Sequence, residues 1–229
     1  MSISSFIVAI LPVLLIGLYI YKKDNNKESY KLLFKLFIMG LLSCFPAIAI
    51  GSFMGNYFPP LEEMNFIQLL LYSFIVVALV EELCKWYFLY RVSYNHNEFD
   101  TLYDMVVYSS FIALGFACLE NILYVSSFGI STGLFRAVVA VPSHVCCGIF
   151  MGSYLALSKM NEVGGNVYVA KKYKYLSMII PILIHGIYDY CLFLGSTFFI
   201  LLFYLFVIIL FVLSLNKVKT ISREDIKFK

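Results

Sequence analysis

Charged residues are scarce in this sequence of 229 residues: Asp, Glu, Lys and Arg make up 14% of it, whereas apolar residues make up 62%. A soluble domain of this length cannot bury so many apolar side chains, so the composition excludes an ordinary soluble protein. The surplus of basic residues is also small, with 17 Lys and Arg against 14 Asp and Glu. A net charge of +3 excludes a nucleic-acid-binding protein that relies on a basic surface.

The six cysteines lack Cys-x-x-Cys spacing, and each lies inside an apolar run. This pattern excludes a disulfide-stabilised secreted scaffold and indicates small residues of a membrane or core environment. The alternative is that Cys146 and Cys147 act as ligands or as a nucleophile. The chain start also lacks a basic segment and a small-residue cleavage site, so we expect an uncleaved first span rather than a signal peptide.

Apolar runs of about 20 residues, the length that crosses a bilayer, recur along the chain. They predict an all-α, polytopic transmembrane bundle of seven spans that forms a single domain over residues 1–229. The predicted spans are Ile3–Tyr21, Leu32–Phe53, Phe66–Tyr90, Leu102–Val125, Gly133–Leu157, Leu176–Leu194 and Thr197–Leu215.

Basic residues are concentrated in alternate connections between these spans. Fifteen of the 17 follow the first, third and fifth spans or lie in the C-terminal tail, and the other three connections contain none. Because Lys and Arg accumulate on the cytoplasmic side, we predict an outside N-terminus and a cytoplasmic C-terminus. The two remaining basic residues, Lys85 and Arg136, lie inside spans.

Eight ionisable side chains lie inside the predicted spans, where each would cost about 2.5 kcal/mol or more if it faced lipid. We expect them to converge on one interior site. The alternative is that they form ion pairs that only hold the helices together. Four successive spans contribute them: Glu81, Glu82 and Lys85; Glu120; Arg136 and His144; and His185 and Asp189.

The spacing of these residues suggests a separate chemical role for each. Glu81 and Lys85 are four residues apart and share a helix face, so the ammonium can keep a carboxylate ionised. Glu82 points about 100° away, which allows the two adjacent carboxylates to have different roles. His185 and Asp189 are also four residues apart, so Asp189 can orient the imidazole.

In straight helices, these residues would lie at different distances from the cytoplasmic side of the membrane. At about 1.5 Å per residue, Glu81 and His185 lie roughly 14 Å from the cytoplasmic ends of their spans, whereas Glu120 lies about 27 Å from its own. Either the fourth and sixth helices are offset or the predicted ends are wrong by a turn.

Four motifs on successive spans together resemble the PrsW family of bacterial intramembrane proteases. They cover residues 66–189, and the resemblance implies a multi-pass protease of the bacterial cell membrane. The motifs are Glu81-Glu82-x-x-Lys85, Gly115-Phe116-x-x-x-Glu120-Asn121, Arg136 with Pro142-x-His144, and His185-x-x-x-Asp189.

The PrsW family is in turn similar to the CAAX prenyl proteases and the Abi proteins. This wider resemblance implies that Glu81 and Glu82 carry the water-activating base and that His185 and Asp189 replace a His-x-x-x-Asn pair. Glu120 stands where the CAAX group has a histidine, which argues against a prenylated substrate.

The substrate that the PrsW resemblance implies is a single-pass, membrane-anchored anti-sigma factor. Its first (site-1) cleavage would activate an extracytoplasmic-function sigma factor as part of a stress response. The implied partners are therefore this substrate and the lipid bilayer, without nucleic acid.

We accordingly predict a glutamate-dependent peptidase. A water held by Glu81 or Glu82 attacks the peptide carbonyl, and His185, oriented by Asp189, assists proton transfer.

The remaining candidates support this reaction. Asn121 or His144 stabilises the oxyanion, and Lys85 and Arg136 provide electrostatic support. Pro142 predicts a kink beside His144, which is tolerated where backbone lines a wet cavity. Glu and His are legitimate Zn²⁺ ligands, but no His-Glu-x-x-His spacing occurs, so the sequence favours a mechanism without a cofactor and leaves Zn²⁺ as the alternative.

A proton- or ion-coupled transporter is the main competing interpretation, because buried Glu, His and Asp also form proton relays. The absence of an internal repeat and the small number of spans argue against it. A third interpretation is a non-catalytic helper that binds partner helices through small residues.

Overall fold

Seven long helices dominate the computed structural model, which describes residues 3–228. The predicted single domain also includes Met1, Ser2 and Lys229, which lie outside the described residues. Each helix is long and apolar enough to cross a membrane, and no β-strand occurs within residues 3–228. The predicted all-α bundle with seven spans is therefore confirmed. The helices are α1 (Ile3–Lys23), α2 (Tyr30–Gly55), α3 (Phe66–Ser93), α4 (Leu102–Phe128), α5 (Ile130–Val163), α6 (Val167–Leu194) and α7 (Thr197–Glu224).

Three predicted helix ends are wrong by more than a turn. α6 begins nine residues before Leu176, α5 ends six residues after Leu157, and α7 ends nine residues after Leu215. The additional segments carry lysines and other polar residues, which an apolar run does not include. Helices continue beyond the apolar part of a span because their backbone hydrogen bonds do not require lipid.

The corrected start of α6 removes the discrepancy in height between His185 and Glu120, whereas Glu81 is about 18 Å from the end of α3 at Ser93. His185 lies 18 residues after Val167, and Glu120 lies 18 residues after Leu102. Each residue is therefore about 27 Å along its helix from the predicted cytoplasmic end. The predicted ends were wrong, and no offset between α4 and α6 is needed to bring His185 and Glu120 to one level.

α4 lies at the centre of the bundle, where it contacts α1, α2, α3, α5 and α7. Almost every residue from Leu102 to Cys118 is buried, as expected for a helix that is apolar on all sides. A Cβ atom on Gly115 would overlap the carbonyl oxygen of Phe37, and one on Gly40 would overlap that of Ile112. Glycine at these positions lets the backbones of α2 and α4 touch, which fixes the height of Glu120 one turn beyond Gly115.

Two of the helices are irregular next to site residues. α3 contains a π-helical segment, Tyr72–Ala78, that ends just before Glu81. α5 is broken at Val139 into Ile130–Val138 and Ala140–Val163. The break follows from Pro142, which has no N–H to donate to the carbonyl of Val138.

A group of buried carboxylates lies at the end of the bundle where α1 connects to α2. Asp24 and Glu28 on this connection are both buried, and the Tyr108 hydroxyl donates a hydrogen bond to Glu28. Burial raises the pKa of Glu28 from its usual 4.5 to about 9, and the nearby carboxylates of Asp104 and Asp24 add to the rise. Burial likewise raises the pKa of Asp24 to about 6.

Stability is expected to fall as pH rises from 6 to 9. A carboxyl with a raised pKa in the folded state keeps a proton that the unfolded chain releases above about pH 4.5, so its contribution is lost as pH approaches 9. The thermal midpoint of the purified protein in detergent, measured across this range, should fall less steeply for Glu28→Gln, because the amide cannot ionise. Glu63→Gln, on the exposed connection after α2, should follow the parental curve; equal slopes for Glu28→Gln and the parent would contradict the expectation.

Candidate active site

All nine predicted site residues lie in one connected network inside the bundle. Their proximity is a feature of the structure, whereas their catalytic roles stay predictions. α3 contributes Glu81, Glu82 and Lys85; α4 contributes Glu120 and Asn121; α5 contributes Arg136 and His144; and α6 contributes His185 and Asp189.

Lys85 is fully buried at the centre of this network. Its Nζ lies 2.7 Å from Glu82 Oε1 and 3.5 Å from Glu81 Oε2. It also lies 3.0 Å from His144 Nδ1 and 3.9 Å from the centre of the Phe116 ring. One cation thus joins two carboxylates and an imidazole, and its charge offsets the cost of burying both carboxylates.

The His185 ring lies between carboxylates on both sides. Its Nδ1 is 2.9 Å from Glu82 Oε1, so Nδ1–H donates to this acceptor. Its Nε2 lies 3.3 Å from Asp189 Oδ2 and 3.9 Å from Glu81 Oε2. Carboxylates therefore face both ring nitrogens, Glu82 at Nδ1 and Asp189, four residues along the same helix, at Nε2.

The tautomer of His144 is defined by its contact with Lys85. The Lys85 ammonium can only donate, so His144 Nδ1 accepts and the proton is on Nε2. Nε2–H then donates to Glu120 Oε2 at 2.7 Å. The rings of His144 and His185 are perpendicular, with centroids 5.3 Å apart. His144 thus lies between Glu120 and Lys85, whereas the second nitrogen of His185 faces Asp189 and, at a greater distance, Glu81.

Glu120 is anchored by Arg136, whose Nη2 lies 2.8 Å from Glu120 Oε2. The guanidinium stacks on Tyr124 at 3.9 Å from the ring centre, and its Nε donates to Asn121 Oδ1 at 3.3 Å. Asn121 Nδ2 donates to the Ala9 carbonyl at 3.0 Å. Both ends of the Asn121 amide therefore connect helices, which favours a structural role over the predicted oxyanion contact.

Two aromatic residues contact the buried charges and were not among the predicted site residues. Phe116 lies under Lys85, and Tyr124 lies under Arg136. They precede and follow Glu120 by four residues, so the three side chains share one face of α4. This spacing is visible in the sequence, but it has no special meaning in a chain with 40 Phe and Tyr residues.

Of the three glutamates in the network, only two have side chains that border a cavity. The side chains of Glu81 and Glu120 are 17% and 18% exposed, whereas that of Glu82 is fully buried. Glu81 and Glu120 line a cavity of about 300 Å³ between α2, α3 and α4. Glu81, rather than Glu82, is therefore placed to meet water or a ligand.

The charges of the network do not balance. With ordinary ionisation, four carboxylates (Glu81, Glu82, Glu120 and Asp189) face two permanent cations, Lys85 and Arg136. Uncompensated charge inside a membrane protein is costly. Protons or a divalent cation must neutralise the two excess negative charges.

The donor atoms that face one another fit a metal ion. One ligand atom each from Glu81, His144 and His185 lies within 4.8 Å of the other two. The unprotonated nitrogen of His144 accepts from Lys85 in this structure, so a metal ion bound there would replace this contact. Two histidines and one glutamate form the ligand set of several catalytic zinc sites. The carboxylates that accept from the histidines, Glu82 and Glu120, match the outer contacts that orient histidine ligands.

The π-helical segment of α3 packs directly on the residue that follows His185. A Cβ atom on Gly186 would overlap the Phe74 ring. Extra residues in a helix redirect side chains, and π-helical segments are frequent at functional sites. The contact between Phe74 and Gly186 fixes the distance between α3 and α6, and hence that between Glu81 and His185.

A protein-family model supports the resemblance found in the motifs. The model described as PrsW family intramembrane metalloprotease matches residues 28–215 of the chain. This range includes all nine predicted site residues. No solved structure matches the chain.

Six curated proteins named Protease PrsW are similar to the chain, and several of them match it over nearly its whole length. The protein from Oceanobacillus iheyensis is 36% identical over 217 residues, which cover 95% of each chain. That from Halalkalibacterium halodurans is 33% identical over 95% of this chain and 96% of the relative. That from Clostridioides difficile is 32% identical over 96% of this chain and 92% of the relative.

Proposed function

Because the chain belongs to the PrsW family of intramembrane metalloproteases and is a multi-pass peptidase of the bacterial membrane, we propose that the network around Glu81 hydrolyses a peptide bond of a membrane-anchored protein. The observation that carries this proposal is the convergence of two histidines on Glu81, which together with Glu120 lines one cavity within the bundle. Hydrolysis requires water beside a group that accepts its proton, and Glu81 and Glu120 are placed there.

We propose that Glu81, His144 and His185 hold a zinc ion. The sequence favoured a mechanism without metal; the excess negative charge and the three converging ligand atoms support the zinc alternative. A zinc ion supplies Lewis-acid chemistry, which polarises a peptide carbonyl and makes water more acidic. Glu82 orients His185 by accepting its Nδ1–H, and Lys85 keeps Glu82 ionised.

Glu120 is the carboxylate that this arrangement leaves to accept a proton. If Glu81 is a ligand, Glu120 is the second carboxylate at the cavity, and it takes over the role of base that the sequence assigned to Glu81 or Glu82. Its carboxylate receives the proton of the attacking water and returns it to the leaving amine. Arg136 and His144 hold Glu120 Oε2 in place during both transfers.

The proposed substrate is a single-pass anti-sigma factor, cleaved first by this enzyme to activate an extracytoplasmic-function sigma factor. Support comes from the resemblance of the four motifs to the PrsW family. A bundle that buries its ionisable residues inside the spans suits a substrate held in the same membrane.

Co-expression tests this proposal. A panel of single-pass anti-sigma factors from the host bacterium, tagged at both ends, is expressed with the parental protein or with a Glu81→Gln, His185→Ala double variant. We expect one member, the reporter substrate, to be shortened only by the parental protein. If every member stays intact, or is shortened equally by the double variant, the anti-sigma factor proposal is wrong.

Gly186→Ala is expected to slow cleavage of the reporter substrate by about 10- to 100-fold, since displacement of a reacting group by about 1 Å can have this effect. The added methyl group must push Phe74 away from α6 and with it the segment that leads to Glu81. Phe74→Leu alone should have a small effect, and in the double variant it should restore most of the activity. Initial rates in detergent measure this; a double variant as slow as Gly186→Ala would show that the contact does not position the site.

A further inference from the structure

We propose that the substrate reaches Glu81 sideways, through a gap between α2 and α4, and lies there as an extended chain. This inference rests on the proposed function. It concerns the cavity of about 300 Å³, or entry cavity, whose walls include Ala47, Gly51, Val76 and Leu123 and whose floor includes Glu81 and Glu120.

The entry cavity opens toward the side of the bundle that faces lipid. Three residues at its rim are large and exposed: Ile48 on α2 is 48% exposed, and Leu123 and Tyr124 on α4 are 43% and 39% exposed. In a membrane this surface contacts acyl chains, so a membrane segment can approach without crossing water. The opening therefore suits a substrate that diffuses within the bilayer.

The entry cavity also continues to the connection between α2 and α3. A neighbouring cavity of about 570 Å³ shares Gly51, Ser52 and Tyr72 with it and reaches Pro59 and Pro60 on that connection. A chain that leaves the membrane on this side can follow one path from the aqueous surface, past Tyr72, to the two carboxylates. The cleaved bond would then lie between the membrane segment and the domain on this side.

An extended chain is the form of the substrate that hydrolysis at Glu81 requires. An extended segment presents its carbonyl groups, whereas a helix uses them in internal hydrogen bonds. The substrate must unwind before it reaches Glu81.

The opposite side of the histidines offers no comparable path. The cavity bordered by Ser143, His144 and His185 has a volume of about 10 Å³, which is room for about one water molecule. The substrate is therefore expected on the side of the entry cavity.

A larger side chain at Gly51 tests the path without touching the site. A Cβ atom at Gly51 would lie 3.6 Å from the Val76 carbonyl oxygen, an ordinary contact, so a longer side chain extends into the cavity. We expect Gly51→Phe to slow cleavage of the reporter substrate by about 10- to 100-fold, with unchanged zinc content and thermal midpoint. Ala49→Phe, two residues earlier on the exposed face of α2, should cleave at the parental rate.

Cross-linking provides a second test if Gly51→Phe fails to fold. Ile48→Cys, in a Glu81→Gln background that retains the substrate, should cross-link through a bis-maleimide to a reporter with a cysteine beside its membrane segment. Ile208→Cys, exposed on α7, should not. Cross-linking at Ile208 alone, or parental cleavage by a folded Gly51→Phe variant, would overturn the lateral path while the protease function remains. If the parental protein leaves the reporter uncut, the proposed function fails instead.

Discussion

Glu81→Gln is expected to reduce cleavage of the reporter substrate by about 1000-fold or more, in the range that follows loss of a group central to proton transfer or metal binding. Glu81 combines two features that no other residue of the network has: it belongs to the three-donor set, and its carboxylate borders the entry cavity. Glutamine keeps the volume of the side chain but removes the charge and the basic oxygen. The change therefore tests the chemistry of the group rather than its packing.

Glu82→Gln provides the matched comparison, because the two glutamates are adjacent on α3 and receive the same substitution. Glu82 contacts Lys85 and His185 but not the cavity. Its loss should reduce cleavage by about 10- to 100-fold, as is typical of groups that orient a ligand. Glu63→Gln on the exposed connection after α2 is the inert control. A Glu81→Gln variant that is inserted, folded and as active as Glu82→Gln would remove Glu81 from its central role.

Metal content is the second large expected effect. Purified parental protein should contain about one zinc ion per chain; chelation should abolish cleavage of the reporter substrate, and added zinc should restore it. His144→Ala and His185→Ala should each lose both bound zinc and activity, since each removes a donor of the three-residue set.

Glu120→Gln separates metal binding from proton transfer. Glu120 lies outside the set of three donor residues, so the Glu120→Gln variant should keep zinc and lose most of its activity. Asn121→Ala should keep zinc as well, because its amide joins Ala9 and Arg136 rather than the donor set. Elemental analysis and a chelation assay on the same preparations give the answer. Substoichiometric zinc together with cleavage that survives chelation would restore the metal-free mechanism that the sequence favoured.

The architecture could be predicted because each helix that crosses the lipid bilayer requires a long run of apolar residues. Seven apolar runs of span length gave the number and order of the helices. The ends of α5, α6 and α7 were wrong, because a helix can continue into water with a polar sequence such as that around Lys171. Hydropathy marks the edge of the bilayer, whereas hydrogen bonding and caps mark the edge of the helix.

The members of the candidate site could also be listed in advance, because ionisable residues inside spans are expensive and rare. Which of these residues contact one another could not be predicted from the sequence. Spacing placed Asp189 on the same face as His185, but only the packing of α3 against α6 shows that Glu82 lies against Nδ1. The partner of Asn121 is a backbone carbonyl on α1, more than a hundred positions away, and a carbonyl carries no sequence signal.

The break in α5 has a consequence for how the protein can vary in evolution. Arg136 and His144 both reach Glu120 Oε2, at 2.8 and 2.7 Å, although in a regular helix residues eight apart lie about 12 Å apart and point about 80° away from each other. The break at Val139 makes this convergence possible. An inserted or deleted residue between them would rotate His144 by about 100° away from Glu120. Homologues should therefore tolerate changes of length in the connection after α2, but the eight-residue interval from Arg136 to His144 should be constant.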